Sequence, residues 1–235
     1  MGAILKRELG AYFSSATAYV VMAVYFFFSG LFFNFYVFSQ NSTSLTYVFS
    51  NMFYIIMFLI PIITMKSFAE EKRQKSDQAL LTSPCSLTEI VAGKFLGAFV
   101  MYTICTAIFL IYAVVISFFA QPQWSVILCT FLGTLLLGGS LIAINVFISV
   151  LTESQVVAAV LGMGVGLLIS MMGYFVSLAS GVEWLRIALE KISFMSYYEN
   201  FTYGILSITD VVFFLSVIAL FLFFTVRALE KRRWS

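Results

Sequence analysis

The chain contains no histidine. That removes imidazole as a general acid or base, the Ser/His and Cys/His nucleophile pairs, and His-ligated metal sites. Charge is scarce too, at 10% of 235 residues, where a soluble domain carries roughly 25%. With 62% hydrophobic residues and a mean hydropathy of +1.02, too little polar surface exists to cover a water-facing globule. The solvent of this chain is mostly lipid. No stretch fits G-x-x-x-x-G-K-[ST], and the nearest glycine-rich run, LGMGVGLL at 161–168, has no basic residue beside it. The chain therefore reads as no enzyme, with no nucleotide or other cofactor bound to itself. Cys85, Cys105 and Cys129 match neither a zinc nor a disulfide spacing and read as small hydrophobes. The missing histidine, with no aspartate pair in the apolar runs, also argues against an intramembrane protease.

What the chain does have is six apolar runs, at about 16–38, 47–65, 95–119, 124–151, 156–180 and 207–227. Each approaches the ~20 residues a transmembrane helix needs. The first is longer than the apolar core of a cleaved signal peptide. Lys6 and Arg7 precede run one, and Lys66, Lys72, Arg73, Lys75 and Lys94 separate runs two and three. Arg227, Lys231, Arg232 and Arg233 follow run six. In a six-span topology all of these lie on one side, and only Arg186 and Lys191 on the other. Basic loops stay in the cytoplasm, which predicts both termini inside and the loops SQNSTSLT and AQPQW outside. Asn41-Ser42-Thr43 has the form of a glycosylation sequon. The leader ILKRELGAYF puts Ile4, Leu5, Leu9, Tyr12 and Phe13 on one helical face, the pattern of a helix lying in the membrane interface. The basic tail from Arg227 to Arg233 reads as an inner-leaflet anchor.

Charge concentrates in MKSFAEEKRQKSDQALLTSPCSLTEIVAGK, residues 65–94. Ser67 with Glu70, and Ser86 with Glu89, have capping-box spacing. Pro84 separates the two signals, and Glu71 and Lys75 stand four apart in the favourable order for a helix ion pair. The segment predicts span two running on, a short helix QALLTS, a proline turn and a recapped helix into span three. Ala79, Leu80 and Leu81 form an apolar patch among charges, which suggests a protein contact. A simple basic anchor that sets topology is the alternative, and on the residues alone both stand.

The pattern F-A-E-E-K-R, then L-L-T-S-P, then E-I-V-x-G-K-F within 68–95 resembles the permease subunits of type-2 ABC exporters, nearest to the gliding-motility-associated branch. The likeness continues in AILKRELGAYFSSATAYV at the start and YGILSITDVVFFLSVIALFLFFTVRALEKRRW at the end. The resemblance implies a coupling region at 66–94 seated in a groove of a cytoplasmic ATPase, with Phe68, Glu70, Glu71, Lys72, Arg73, Ala79, Leu80, Leu81 and Pro84 at the contact. It implies two copies of that ATPase carrying ATP and Mg, and a second permease chain in a homo- or heterodimer. It leaves room for an auxiliary membrane subunit with an external domain, and no nucleic-acid partner is expected. The setting it implies is a bacterial cytoplasmic membrane, with substrate moved outward by alternating access.

Within the spans, Ala158, Gly162, Gly166 and Ser170 place a small residue every four positions. Such a ridge lets another helix approach closely, either in the same chain or in a second permease. Gly138-Gly139 reads as a weak point of span four. Asn34, Asn51 and Asn145 are intramembrane amides, which face a helix partner or a cavity, and are candidates for a translocation path. Between spans five and six, Trp184, Leu185, Ala188, Leu189 and Ile192 recur at helical spacing with Arg186 and Glu190 elsewhere. That predicts an outer interfacial or re-entrant helix. Tyr197, Tyr198 and Glu199 are candidates for the exit, or for an aromatic belt. The fold expected is an all-α integral membrane protein, a single domain of six transmembrane helices with both termini inside. An interfacial helix at 1–15 comes first and an external helical segment at 181–206 precedes the last span. An ion-coupled secondary transporter is the rival reading, weakened by spans nearly free of ionisable groups apart from Asp210 at an end. A non-transporting scaffold is the other.

Overall fold

The computed structural model describes residues 2–40, 42–73, 86–178 and 182–233, and every regular element among them is helical. Helix α1 (Gly2–Ser14) meets α2 (Ala16–Phe33) at Ser15, whose extended backbone, φ −92° and ψ 125°, turns the chain through an elbow. A π-helical turn, Asn34–Phe38, extends α2. Helix α3 (Thr46–Thr64) carries Pro61 in its last turn, and α4 (Ala69–Arg73) follows after a short link. Helix α5 (Leu87–Thr106) opens on the capping box that Ser86 and Glu89 predict, with both reciprocal bonds at 3.3 Å. It breaks at Ala107 before α6 (Ile108–Ser117). There the Thr103 and Thr106 hydroxyls donate to the carbonyls of Phe99 and Tyr102, at 2.8 and 3.2 Å. Such back-bonding competes with the helix ladder and bends it. The remaining helices are α7 (Trp124–Leu151), α8 (Gln155–Ser170), α9 (Met172–Leu178), α10 (Glu183–Glu190), α11 (Phe194–Thr202) and α12 (Ile208–Arg233).

Five segments are long and apolar enough to cross a bilayer: Ala16–Phe38, Thr46–Arg73, Leu87–Ser117, Trp124–Leu151 and Ile208–Lys231. The unbroken span expected at 156–180 is instead α8 and α9 meeting at 42°. At the bend the Ser170 hydroxyl donates to the Leu167 carbonyl at 2.8 Å, and Met171, at φ −83° and ψ −3°, separates the two helices. Counted as one broken span, this pair makes six candidate crossings among the described residues. The predicted short helix QALLTS and its proline turn lie outside the described residues.

Helix α7 is the spine. It packs against α12, α3, α11, α5 and α8, and 72% of its most apolar window is buried, against 11% for α12. Gly138 and Gly139 are not a weak point but a seat. The Tyr102 ring packs against α7 at Gly138, where any Cβ would collide with it, and the Tyr102 hydroxyl donates to the Thr134 carbonyl at 2.9 Å.

The small-residue ridge of α8 is used within the chain. Ala158, Gly162 and Gly166 are buried against α3 and α7, while Ser170 is half-buried. A Cβ at Gly166 would sit 2.9 Å from the Met57 carbonyl oxygen, and one at Gly162 2.9 Å from Pro61 Cβ. Pro61 has no N–H to give the carbonyl four residues earlier, which is Met57. The glycines bring α8 onto the place where α3 is short of a hydrogen bond, and neighbouring helices are what make a proline tolerable inside a membrane.

Candidate functional site: a buried charge junction

One end of the bundle gathers α1, α4, the start of α5 and the end of α7, and holds most of the basic residues; it is called here the basic end. Its geometry starts with two glycines, Gly93 and Gly97, four apart on α5. Opposite them stand Ile4, Glu8 and Tyr12, also four apart, on α1. A Cβ on Gly93 would come within 2.7 Å of Ile4 Cγ2, and one on Gly97 within 3.0 Å of Glu8 Cβ. The missing side chains are what let α1 lie directly on α5. The apolar face expected of α1 is therefore turned. Ile4, Glu8 and Tyr12 point inward, with Glu8 only 8% exposed, whereas Phe13 faces out.

Lys94, next to Gly93, is 1% exposed. Its ammonium donates to Glu8 Oε1 at 3.1 Å and to the Ser67 carbonyl at 2.6 Å, lies 2.9 Å from Glu71 Oε1, and sits 5.0 Å above the Phe68 ring. Arg7 closes the cluster, 2.5 Å from Glu71 Oε1 and 3.3 Å from Glu8 Oε1. A buried ammonium is tolerable only where its donors are met and its charge is balanced, and two carboxylates, a carbonyl and a π face achieve this. The Tyr12 hydroxyl donates to the Ile63 carbonyl at 3.3 Å, and burial pushes its pKa up to about 12, so it remains a protonated donor. Three segments distant in sequence are thereby tied together by charge.

Helix α4 is held from α7. The Ser149 hydroxyl oxygen accepts from the N–H groups of Phe68 and Ala69, at 3.0 and 3.1 Å, and the Lys72 ammonium donates to the Val150 carbonyl. The amide donors at the start of a helix need acceptors, and here a serine from another helix supplies them. The box expected between Ser67 and Glu70 is replaced by this contact. Ser67 is buried, and its hydroxyl makes no well-formed hydrogen bond among the described residues. A cavity of about 430 Å³ opens beside the junction, under the α1–α2 elbow, and reaches Ser67 and Lys66.

Of the residues expected to couple to a partner, Phe68, Glu71 and Lys72 are drawn into these contacts, Glu70 lines the cavity, and Arg73 is exposed. Ala79, Leu80, Leu81 and Pro84 lie outside the described residues, as does Lys75, the expected partner of Glu71. Arg7, Glu8, Lys94 and Ser149 are functional-site residues that sequence reasoning passed over. The Gly93–Gly97 spacing and a lysine set in the apolar run IVAGKFLGAF are signals that point to two of these contacts.

The candidate path residues do not come together. Asn34 is exposed at the end of α2, and Asn51 donates to the Tyr47 carbonyl of its own helix at 2.8 Å. Asn145 is buried, donates to the Leu141 carbonyl at 2.8 Å and rests its Oδ1 on Gly162. At the end opposite the junction, Tyr198 is a core residue. It is 0% exposed, 3.1 Å from the Thr134 hydroxyl and bonded to the Phe49 carbonyl at 3.4 Å. Tyr197 stacks on Phe213 with ring centroids 4.1 Å apart, and Glu199 is exposed. The apolar face of α10 is left largely uncovered by the described residues, with Trp184 73% and Leu185 37% exposed.

A family model described as ABC-2 family transporter protein matches residues 34–228. No curated protein matches the chain.

Proposed function

The chain belongs to the ABC-2 family of transporter proteins, and from that premise we propose that it is an exporter permease through which a separate ATPase moves substrate outward by alternating access. Membership makes it a multi-pass membrane protein and the non-catalytic, membrane-embedded part of an ABC transporter. Two cytoplasmic ATPase subunits would carry ATP and Mg, and a second permease chain would complete the unit. The distribution of lysine and arginine supports a cytoplasmic basic end with both termini inside. A bacterial cytoplasmic membrane, the gliding-motility branch and an auxiliary external subunit are what the resemblance at 68–95 and at the two ends of the chain implies.

The observation that carries the reading is the junction centred on Lys94. A displacement of the 66–94 region reaches α5 through Lys94, α1 through Glu8 and Arg7, α3 by direct continuity, and α7 through Ser149. That is the connectivity needed to turn a push at one loop into movement of several spans. It also separates two roles among the charged residues. Glu71 holds the junction, whereas exposed Arg73 is available to a partner.

The test is affinity purification of the full chain from native membranes in mild detergent. An ATPase is expected to co-purify in stoichiometric amount with the wild type, and to be reduced about tenfold with Arg73→Glu, the loss of a charged interfacial contact. A wild-type chain that brings down no nucleotide-binding protein would overturn the reading in favour of a secondary transporter or scaffold.

A further inference from the structure

The cavity under the α1–α2 elbow has two chemically distinct walls. Val21, Ile62 and Met101 make one side apolar, while Ser15, Lys66 and Ser67 make the other polar. Its volume, about 430 Å³, falls in the range of small-molecule sites. Two features of the polar wall point to a ligand. Ser67 is 4% exposed, and its hydroxyl, beside the Tyr12 phenol, makes no well-formed hydrogen bond among the described residues. Lys66 has three ammonium donors, and the Ser15 hydroxyl, at 3.2 Å, meets one of them. A hydroxyl donor beside an ammonium is a setting for a phosphate oxygen.

Charge narrows the choice. Arg7, Lys66 and Lys94 line the cavity together with Glu8, Glu70 and Glu71, so the ionisable lining sums to zero. A free multivalent anion gains little from such a wall, whereas a phosphate whose own molecule carries a compensating ammonium suits it. The cavity stands at the level where α2 and α3 leave the apolar zone, and its apolar wall runs along those helices.

We propose that this cavity holds one zwitterionic glycerophospholipid of the inner leaflet. Its phosphate rests against Lys66 and Ser67, and its upper acyl chains lie along Val21 and Ile62. The lipid is a resident of the junction rather than cargo, filling the space that α1 encloses against α3 and α5. The assignment rests on the cytoplasmic orientation of the basic end proposed above.

The test is native mass spectrometry of the purified, lipid-stripped full chain. The probes are dioleoylphosphatidylethanolamine, dioleoylglycerol (which lacks the phosphate), and phosphoethanolamine (which lacks the chains). One phosphatidylethanolamine adduct per chain is expected, with occupancy about tenfold lower for the Lys66→Gln/Ser67→Ala double variant, the loss of charge-assisted hydrogen bonds. Ala11→Trp fills the cavity from an exposed helix position and is expected to lower occupancy likewise, while Lys66→Arg retains it. Equal binding of dioleoylglycerol, saturation by phosphoethanolamine alone, or adducts unchanged in the double variant and Ala11→Trp would each overturn the proposal. The measurement uses the permease alone, so its result is independent of whether an ATPase co-purifies.

Discussion

The two ends of the bundle are closed by different chemistry. At the basic end Lys94, Glu8, Glu71 and Arg7 bind three segments through ions. At the other end the closure is neutral and aromatic. Tyr198 meets the Thr134 hydroxyl and the Phe49 carbonyl, the Thr130 hydroxyl donates to the Phe201 carbonyl at 2.9 Å, and Tyr197 stacks on Phe213. Even the buried Asp210 there is met by an amide, Asn200, at 2.9 Å, in the first turn of α12 where a helix favours negative charge. Neutral hydrogen bonds hold packing in place with a modest contribution from each. An ion cluster is all-or-none, because removing one member strands the others. Under the function proposed above, the difference says where a charged partner would act: it would bias the basic end, and the aromatic end would follow. Helix α7 joins the two, with Ser149 at one end and Thr130 and Thr134 at the other.

The largest break of this contrast is expected from Lys94→Met. It leaves Glu8 and Glu71 with the exposed Arg7 guanidinium as one cation for two carboxylates, and should lower unfolding stability by up to about 3–5 kcal/mol, read as the thermal midpoint of the purified chain. Ser149→Ala comes next. It strips the acceptor from two buried amides and should cost about 1–3 kcal/mol. It should also reduce the permease-dependent change in ATPase rate in the assembled complex while ATPase still co-purifies; an unaltered rate would remove α7 from the coupling route. Tyr198→Phe, at the aromatic end, is expected to cost only about 1 kcal/mol. If it destabilised as much as Lys94→Met, the contrast between the ends would be lost.

Much of the architecture was legible in the chain. The apolar runs marked the crossings, and Ser86 and Glu89 marked the start of α5. The bend in the fifth apolar run was not legible, because hydropathy measures composition over a window and does not register a bend at one residue, Met171. The stretch expected to couple was legible as a charged segment, but the contacts that Phe68, Glu71 and Lys72 make within the chain were not. Lys94 counted as one more basic residue in a loop, and the relation of Glu8 to it spans 86 residues of chain.

Local chemistry by itself determined the solvent, the helices and the cap of α5, because hydropathy, propensity and a capping box act within a few residues. Only the tertiary structure decided which face of α1 turns inward, since Gly93 and Gly97 offer a groove whose occupant is chosen by packing. It decided as well that Ser149 rather than Ser67 caps α4, and that the α8 ridge covers the break at Pro61. Each of these is a contact between residues far apart in the chain, made when helices meet, and no periodicity within either helix encodes it.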